Sequence, residues 1–455
     1  MSRIDDIDAR LKARLNSANA SIRGNTARTV HDAPEVPASP AAAQRQFAPI
    51  DKLDDLIGVE RLGGFSLKQF FSAVFGKHGD GEIEAIFNCG GCEPPSPMQI
   101  DSAWPKPWVF TRALAISVSV YLLFLLSIRH FQNANLLPGL ILVGSFAVPV
   151  STLVLFFELN VWRDISLFEV VKRFLYGGIV SIAFSLFVFR SAAGGLLQSA
   201  FGAACAGIVE EVCKVLALIC VADTKKSRHI LGGMLLGAAV GTGFAAFESA
   251  GYAYRYLVTG GGLAVANAGV QAFVNASGDF NAPLLQQFFT MFGLGLCENV
   301  ITLRGLLAPC GHIVWTAIAG AALWRVKGAD KFALRMLVHP SFLKVFLVPV
   351  ILHMVWDCES FSLPLFLNYI MNGAIGWAVA FSLVKEGLNE VAREKAAIRG
   401  RRAVPEITIN GKRQTPGSML LAAGAFIVVT FFTGFLIAAG GAFFSKVIMP
   451  AVSGS

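Results

Sequence analysis

The chain has 455 residues; 55% are hydrophobic, only 15% are charged, and the mean hydropathy is +0.60. Soluble domains are charged in about a quarter of their residues, so this composition excludes disorder over most of the chain. With the apolar residues gathered in long blocks, it also argues against a soluble enzyme. Lys and Arg outnumber Asp and Glu by 38 to 30, giving +8; the position of those charges carries the meaning.

Residues 1–50 are rich in Ala, Pro, Arg and Ser and read as a disordered tail. Residues 1–20 have no apolar core of the kind a signal peptide needs. Residues 51–108 read as a small cytoplasmic helical region with a Pro-rich linker. In it, the amphipathic stretch FSLKQFFSAVF and the run DGEIEAIF predict a helical hairpin. Cys89 and Cys92 form a CxxC with no second pair or nearby His, so they read as structural or incidental. Five of the eight cysteines (Cys205, Cys213, Cys220, Cys297, Cys310) sit in apolar runs, which is no disulfide framework.

From Val109 the apolar runs reach membrane-spanning length, about 20 residues each. The fold class is therefore all-α: a polytopic helical membrane protein with about nine transmembrane helices. The candidate spans are 109–128, 136–157, 174–190, 196–222, 229–256, 305–325, 342–357, 363–384 and 417–445. The core comprises 109–384, followed by a basic cytoplasmic loop at 385–416 and a C-terminal transmembrane helix within 417–455. The segment 284–303 is apolar but carries Gln286, Gln287, Glu298 and Asn299, so it either lies at the interface or re-enters the membrane. The Gly-rich loop 257–283 reads as a flexible connection or a gate. Lys385–Arg402 reads as a charged helix extension with a solvated face.

Basic residues in short loops set orientation. With the N-terminus inside, the inner loops 158–173, 223–228, 325–341 and 385–416 hold 18 Lys and Arg, and the outer segments hold 4. This works only if 284–303 does not cross. It predicts a cytoplasmic N-terminus and an outside C-terminus. Contact with the lipid bilayer then accounts for the basic excess, and no nucleic-acid partner is needed.

Ionisable groups within spans default to function. Glu210, Glu211 and Lys214 share one apolar helix, and Lys214 can reach either acid. Glu248 follows Phe244 on a helix whose Gly233, Gly237 and Gly241, at four-residue spacing, form a face for close packing. His312 lies eight residues after Arg304. His353 and Asp357 are one helical turn apart, a spacing at which the Asp can orient the imidazole. Taken singly, the Glu210–Glu211–Lys214 cluster reads as well as a buried polar clasp as a catalytic group, a lone Glu248 reads more readily as a carboxylate hydrogen-bonded to a neighbouring helix, and a lone His is more often a satisfied core residue than a ligand. Taken together, Glu248, His312 and His353 could hold a divalent metal, with Glu210 or Glu211 activating water.

The ordered set EExxK (Glu210, Glu211, Lys214), FxxxE (Phe244, Glu248), Arg304 before His312, and HxxxD (His353, Asp357) resembles the PrsW family of intramembrane proteases. That family is distantly similar to the type II CAAX prenyl endopeptidases. The resemblance extends over roughly 109–384. It implies an endopeptidase of the bacterial inner membrane that cuts a membrane-anchored, anti-sigma-factor-like protein. Glu210 or Glu211 would be the general base, and Glu248, His312 and His353 would bind metal, Zn2+ being the candidate, or stabilise the oxyanion. The CAAX relatives usually carry His where Glu248 stands, so a glutamate-and-histidine mechanism without metal is the alternative. The competing functions are a non-catalytic scaffold that retains the fold and, less favoured, a proton-coupled transporter. A transporter predicts repeated halves with broken helices, and no such repeat is visible.

Overall fold

The computed structural model describes residues 48–60, 66–79, 82, 86–87, 95–131, 133–221, 227–266, 282–358 and 365–400. Cys89, Cys92, residues 1–47 and the span expected at 417–445 lie outside the described residues. Every regular element among the described residues is helical. They are α1 (Ala48–Ile57), α2 (Val109–Phe131), α3 (Leu137–Leu159), α4 (Leu167–Arg190), α5 (Ala192–Phe201), α6 (Cys205–Val221), α7 (Ile230–Ala266), α8 (Ala282–Leu307), α9 (His312–Lys327), α10 (Pro340–Trp356) and α11 (Leu365–Ile398), with short helical turns between them.

Among the described residues six paths are long and apolar enough to cross a membrane: α2, α3, α4, Ile230–Thr259 of α7, Gly293–Lys327 and Leu367–Ile398 of α11. They correspond to six of the nine expected spans. Two others are shorter helices. The run 196–222 breaks at Gly202, whose φ of +57° is open to glycine and strained for other residues, leaving α6 with 17 residues. α10 also has 17, about 25 Å of helix.

α7 is the central strut. Its 37 residues extend about 55 Å, well beyond the roughly 30 Å of a hydrocarbon core. α8 and α9 run antiparallel along it as one path, joined by a turn at Ala308–Cys310. The pairing proceeds from Ala253 beside Leu294 and Cys297, through Ser249 with Arg304, to Gly233 against Trp324. Segment 284–303 therefore continues the path of α9. The expected glycine face is real: Gly237 lies against the Thr316 carbonyl and Gly241 against the His312 carbonyl, where a Cβ would collide with backbone. This close approach sets the register that brings His312 to Glu248.

The N-terminal region shares the core of the helices. Ile57, Phe70, Ile100 and Trp104 join the cluster formed by α7, α9, α10 and α11. The inner side of the 385–398 extension is correspondingly covered: Lys385, Glu386, Leu388, Asn389 and Val391 are buried. Arg393 pairs with Glu60 at 3.1 Å, and one turn before the extension the Ser382 hydroxyl donates to Asp54 at 3.2 Å. The expectation of a solvated face fails on this side because α1, through Asp54, and the residue Glu60 after it pack on it. That contact spans 328 residues of sequence.

Candidate active site

Four helices meet at the polar centre. α6 supplies Glu210, Glu211 and Lys214, α7 supplies Glu248, α9 begins with His312, and α10 carries His353 in its last turn with Asp357 at its C-cap. α6 and α10 approach closely at Gly207, where an added Cβ would lie 2.5 Å from the Met354 amide nitrogen and 2.9 Å from the Val350 carbonyl. That approach seats His353 beside the two glutamates.

Glu211 and Lys214 are wholly buried. The Lys214 ammonium donates to Glu211 Oε1 at 2.8 Å and to His312 Nδ1 at 2.8 Å, with Glu210 Oε2 at 3.5 Å. Its third direction faces the Phe244 ring, 4.0 Å from the centroid, a favourable site for a desolvated cation. An ammonium has no lone pair, so His312 Nδ1 accepts. His312 Nε2 therefore carries the proton and donates to Glu248 Oε2 at 3.1 Å. Glu248 is also paired with Arg304, whose Nε donates to Ser249 Oγ at 2.9 Å and whose guanidinium lies 4.6 Å over Tyr252.

His353 Nδ1 donates to Glu211 Oε1 at 2.9 Å. Its Nε2 faces Asp357 Oδ2 at 3.1 Å and Glu210 Oε2 at 3.7 Å. Two carboxylate oxygens and an imidazole nitrogen converging on one region require positive charge between them, from a proton or a cation. Glu210 Oε2 is buried and has no hydrogen-bond partner, an expensive state unless something fills the gap.

Glu210, His312 and His353 each offer a donor atom within 4.8 Å of the other two. Two imidazoles and a carboxylate are a common donor set for Zn2+, and the unpartnered Glu210 oxygen is the kind of acceptor such an ion would take. The residues thus fit a divalent metal once His312 gives up its hydrogen bond to Lys214 or to Glu248, so that one ring nitrogen is free to ligate. The expected trio had Glu248 in place of Glu210. All the expected residues do converge, but Glu248 is engaged by Arg304 and His312.

Sequence reasoning missed Trp315. It is fully buried, stacks on His353 at 4.6 Å between centroids and meets His312 edge-on at 5.4 Å, so it walls both imidazoles. The available signal was its position three residues after His312, on the same helix face. Glu298 is not part of the centre: it pairs with Arg129 of α2 at 2.5 Å.

The fold and the site define a multi-pass helical membrane protein with a Glu–His–Lys centre at the meeting of four helices. Residues 167–384 match the model of the PrsW family intramembrane metalloproteases, which bears out the resemblance carried by the four motifs. The match includes every residue of the centre and supports an intramembrane protease, a peptide-bond hydrolase working within the membrane. The chain matches no curated protein and no solved structure.

Proposed function

We propose that the protein hydrolyses a peptide bond of a membrane-anchored protein, of the anti-sigma-factor-like class, at the Glu210–His312–His353 centre. The observation that carries this reading is Glu210 Oε2: buried, without a hydrogen-bond partner, and 3.7 Å from His353 Nε2. Water attack on an amide needs a base, a group that polarises the carbonyl oxygen, and an acid for the leaving nitrogen. Glu210 is the carboxylate that meets the water. It acts as proton acceptor where no metal is bound and as third ligand beside His312 and His353 where one is. A Zn2+ ion held there would supply Lewis acidity and a more acidic water.

The chain's own groups divide the remaining work. In the metal-free mode Glu210 takes a proton from water as its oxygen bonds to the carbonyl carbon. The His353 Nε2–H faces the developing oxyanion. The proton held by Glu210 then passes to the amide nitrogen as the C–N bond breaks. Glu211 is tied to both Lys214 and His353 and positions them. Glu248 and Arg304 hold His312 in its Nε2–H tautomer.

The likeness to the PrsW family implies a bacterial inner membrane, and the distribution of basic loop residues supports a cytoplasmic N-terminus and an outside C-terminus. In that orientation α7 runs outward, the α8–α9 path returns inward, and 284–303 is no separate crossing.

The test compares new protein termini in membranes of cells expressing wild type or Glu210→Gln. Termini within or beside spans, present only with wild type, are expected. Identical termini from both proteins, with both folded and abundant, would remove Glu210 from the reaction and favour a scaffold.

A further inference from the structure

Trp315, Trp324 and Trp377 are each no more than 1% exposed. Two of them have the indole N–H bonded to a backbone carbonyl. Trp324 Nε1 donates to Ser227 at 3.1 Å and Trp377 Nε1 to Pro309 at 2.9 Å. Trp315 Nε1 is as deeply buried and has no hydrogen-bond partner. It belongs to the indole that stacks on His353. A buried donor without an acceptor is expensive, the more so within a bilayer.

The matching acceptor lies on α11. Asn368 and Asn372, 7% and 2% exposed, are one turn apart on one face of that helix. Asn368 Nδ2 donates to the Val355 carbonyl of α10 at 3.3 Å, and Asn372 Nδ2 donates to Asn368 Oδ1 at 3.3 Å. A backbone carbonyl can only accept, so it fixes the orientation of both amides in turn. The group left over is Asn372 Oδ1, an acceptor that is buried and without a partner. Gly376 stands one turn further along α11, about 5.4 Å up the axis. A Cβ on it would lie 3.3 Å from Val314, 3.8 Å from Leu352 and 3.9 Å from Trp315 Nε1. The glycine thus leaves a methyl-sized space at the nitrogen edge of the indole. Two hydrogen bonds through one water span about 5.8 Å, which suits a donor and an acceptor a helical turn apart.

We propose that Trp315 Nε1 and Asn372 Oδ1 bind a water molecule between α9, α10 and α11, and that this water fixes the indole wall against which His353 rests. Water is the ligand the pair selects. It accepts from the indole and donates to the amide through one small centre, in a place closed to anything the size of a peptide. Asn372 is thereby a positioning residue, acting through the water and Trp315 on His353. Its effect on rate rests on the cleavage reading above; the water site does not.

The experiment is X-ray hydroxyl-radical footprinting of the full-length protein in detergent, which oxidises side chains beside bound water whether or not bulk solvent reaches them. Trp315 should be oxidised about fivefold or more above Trp324 and Trp377, whose N–H groups are occupied by carbonyls. Asn372→Leu removes the acceptor and should bring Trp315 down to the level of the other two. Asn372→Asp, protonated within the bilayer, keeps both a donor and an acceptor and should retain the oxidation. In parallel, kcat should fall about tenfold in Asn372→Leu with KM unchanged, and recover in Asn372→Asp. Should Asn372→Leu fail to fold, Gly376→Ser replaces it: its hydroxyl takes the place of the water at the indole N–H and should remove the oxidation. Trp315 oxidised no more than Trp324 and Trp377 would overturn the proposal. So would oxidation that persists in Asn372→Leu, since the radicals would then come from water at Glu210. Lost oxidation with kcat unchanged would overturn the positioning role. A wild type that cleaves nothing counts against the cleavage reading, and the oxidation pattern still decides the water site.

Discussion

His353 Nδ1 lies 2.9 Å from Glu211 Oε1, and the same carboxylate oxygen accepts from Lys214 at 2.8 Å. One buried atom therefore orients the imidazole and neutralises the ammonium. Glu210, the neighbour in sequence, is placed differently: its side chain is 12% exposed and its Oε2 is 3.5 Å from Lys214. Adjacent acids on one helix point about 100° apart, which is enough to give one a structural and the other a chemical role.

The two glutamates should accordingly fail in different ways. Glu210→Gln should reduce cleavage at least about 100-fold, the usual scale for loss of a general base, with little change in thermal stability. Glu211→Gln leaves Lys214 without its closest counter-charge, so it should cost on the order of 3 kcal/mol of stability as well as activity. Cleavage assays paired with thermal unfolding in detergent separate these outcomes. Equal stability loss in both variants would sink the division of roles.

Metal content discriminates between the two glutamates that could complete a His–His site. Glu210 Oε2 has no hydrogen-bond partner, whereas Glu248 is held by Arg304 and His312. Protein equilibrated with Zn2+ and then desalted should retain about one ion per chain as wild type. His353→Ala and Glu210→Ala should each lower the affinity tenfold or more, whereas Glu248→Ala should lower it less. Elemental analysis by plasma mass spectrometry reads this without any cleavage assay. Retention by Glu210→Ala together with loss in Glu248→Ala would restore the trio of Glu248, His312 and His353.

Why the sequence points to that trio, while the geometry also offers Glu210 beside the two histidines, follows from what helical periodicity can encode. Spacing within one helix is legible: Lys214 three after Glu211 and Asp357 four after His353 are both found in contact. The glycine face of α7 was legible for the same reason. Distances between helices are not encoded by period. They depend on how deeply each pair interlocks, here at Gly207 against α10 and at Gly237 and Gly241 against α9. Charge counting also overlooked Trp315, because an apolar side chain in an apolar run carries no distinguishing mark. The docking of α1 on α11 was equally hidden, since Asp54 and Ser382 are far apart in the chain and neither sits in a recognisable motif.

Outside the membrane helices, His78 fastens the N-terminal region to the start of α2. Its ring stacks on Trp108 at 3.7 Å, with Nε2 2.6 Å from the Ala73 carbonyl and Nδ1 2.7 Å from Glu82. Both nitrogens face acceptors, so the imidazolium can donate twice. The Ala73 carbonyl first and Glu82 second raise its pKa above the ordinary 6.5, while Arg112 nearby opposes them. A raised folded-state pKa stabilises docking fully below the unfolded value, and this contribution fades as pH rises through the folded one. Amide hydrogen exchange across 66–79, corrected for intrinsic rates, should therefore show greater protection at about pH 6 than at about pH 9. His78→Phe keeps a ring against Trp108 and should abolish the pH dependence. A dependence that persists in that variant would show another group to be responsible.

Gly207 tests whether the seating of His353 depends on the α6–α10 contact. A Cβ at this position meets the Met354 amide nitrogen and the Val350 carbonyl, both backbone atoms that cannot rotate away. Gly207→Ala must push α10 outward, and His353, adjacent to Met354, moves with it. The overpacking should cost about 1–3 kcal/mol, while a displacement near 1 Å at the reacting groups lowers the rate about 100-fold. Gly295→Ala is the matched control on α8, because a Cβ there meets no atom within 4 Å. Activity per folded molecule, measured for both variants after thermal unfolding has established the folded fraction, is the deciding quantity. Wild-type activity in folded Gly207→Ala would mean that the imidazole is seated by Glu211 and Trp315 alone.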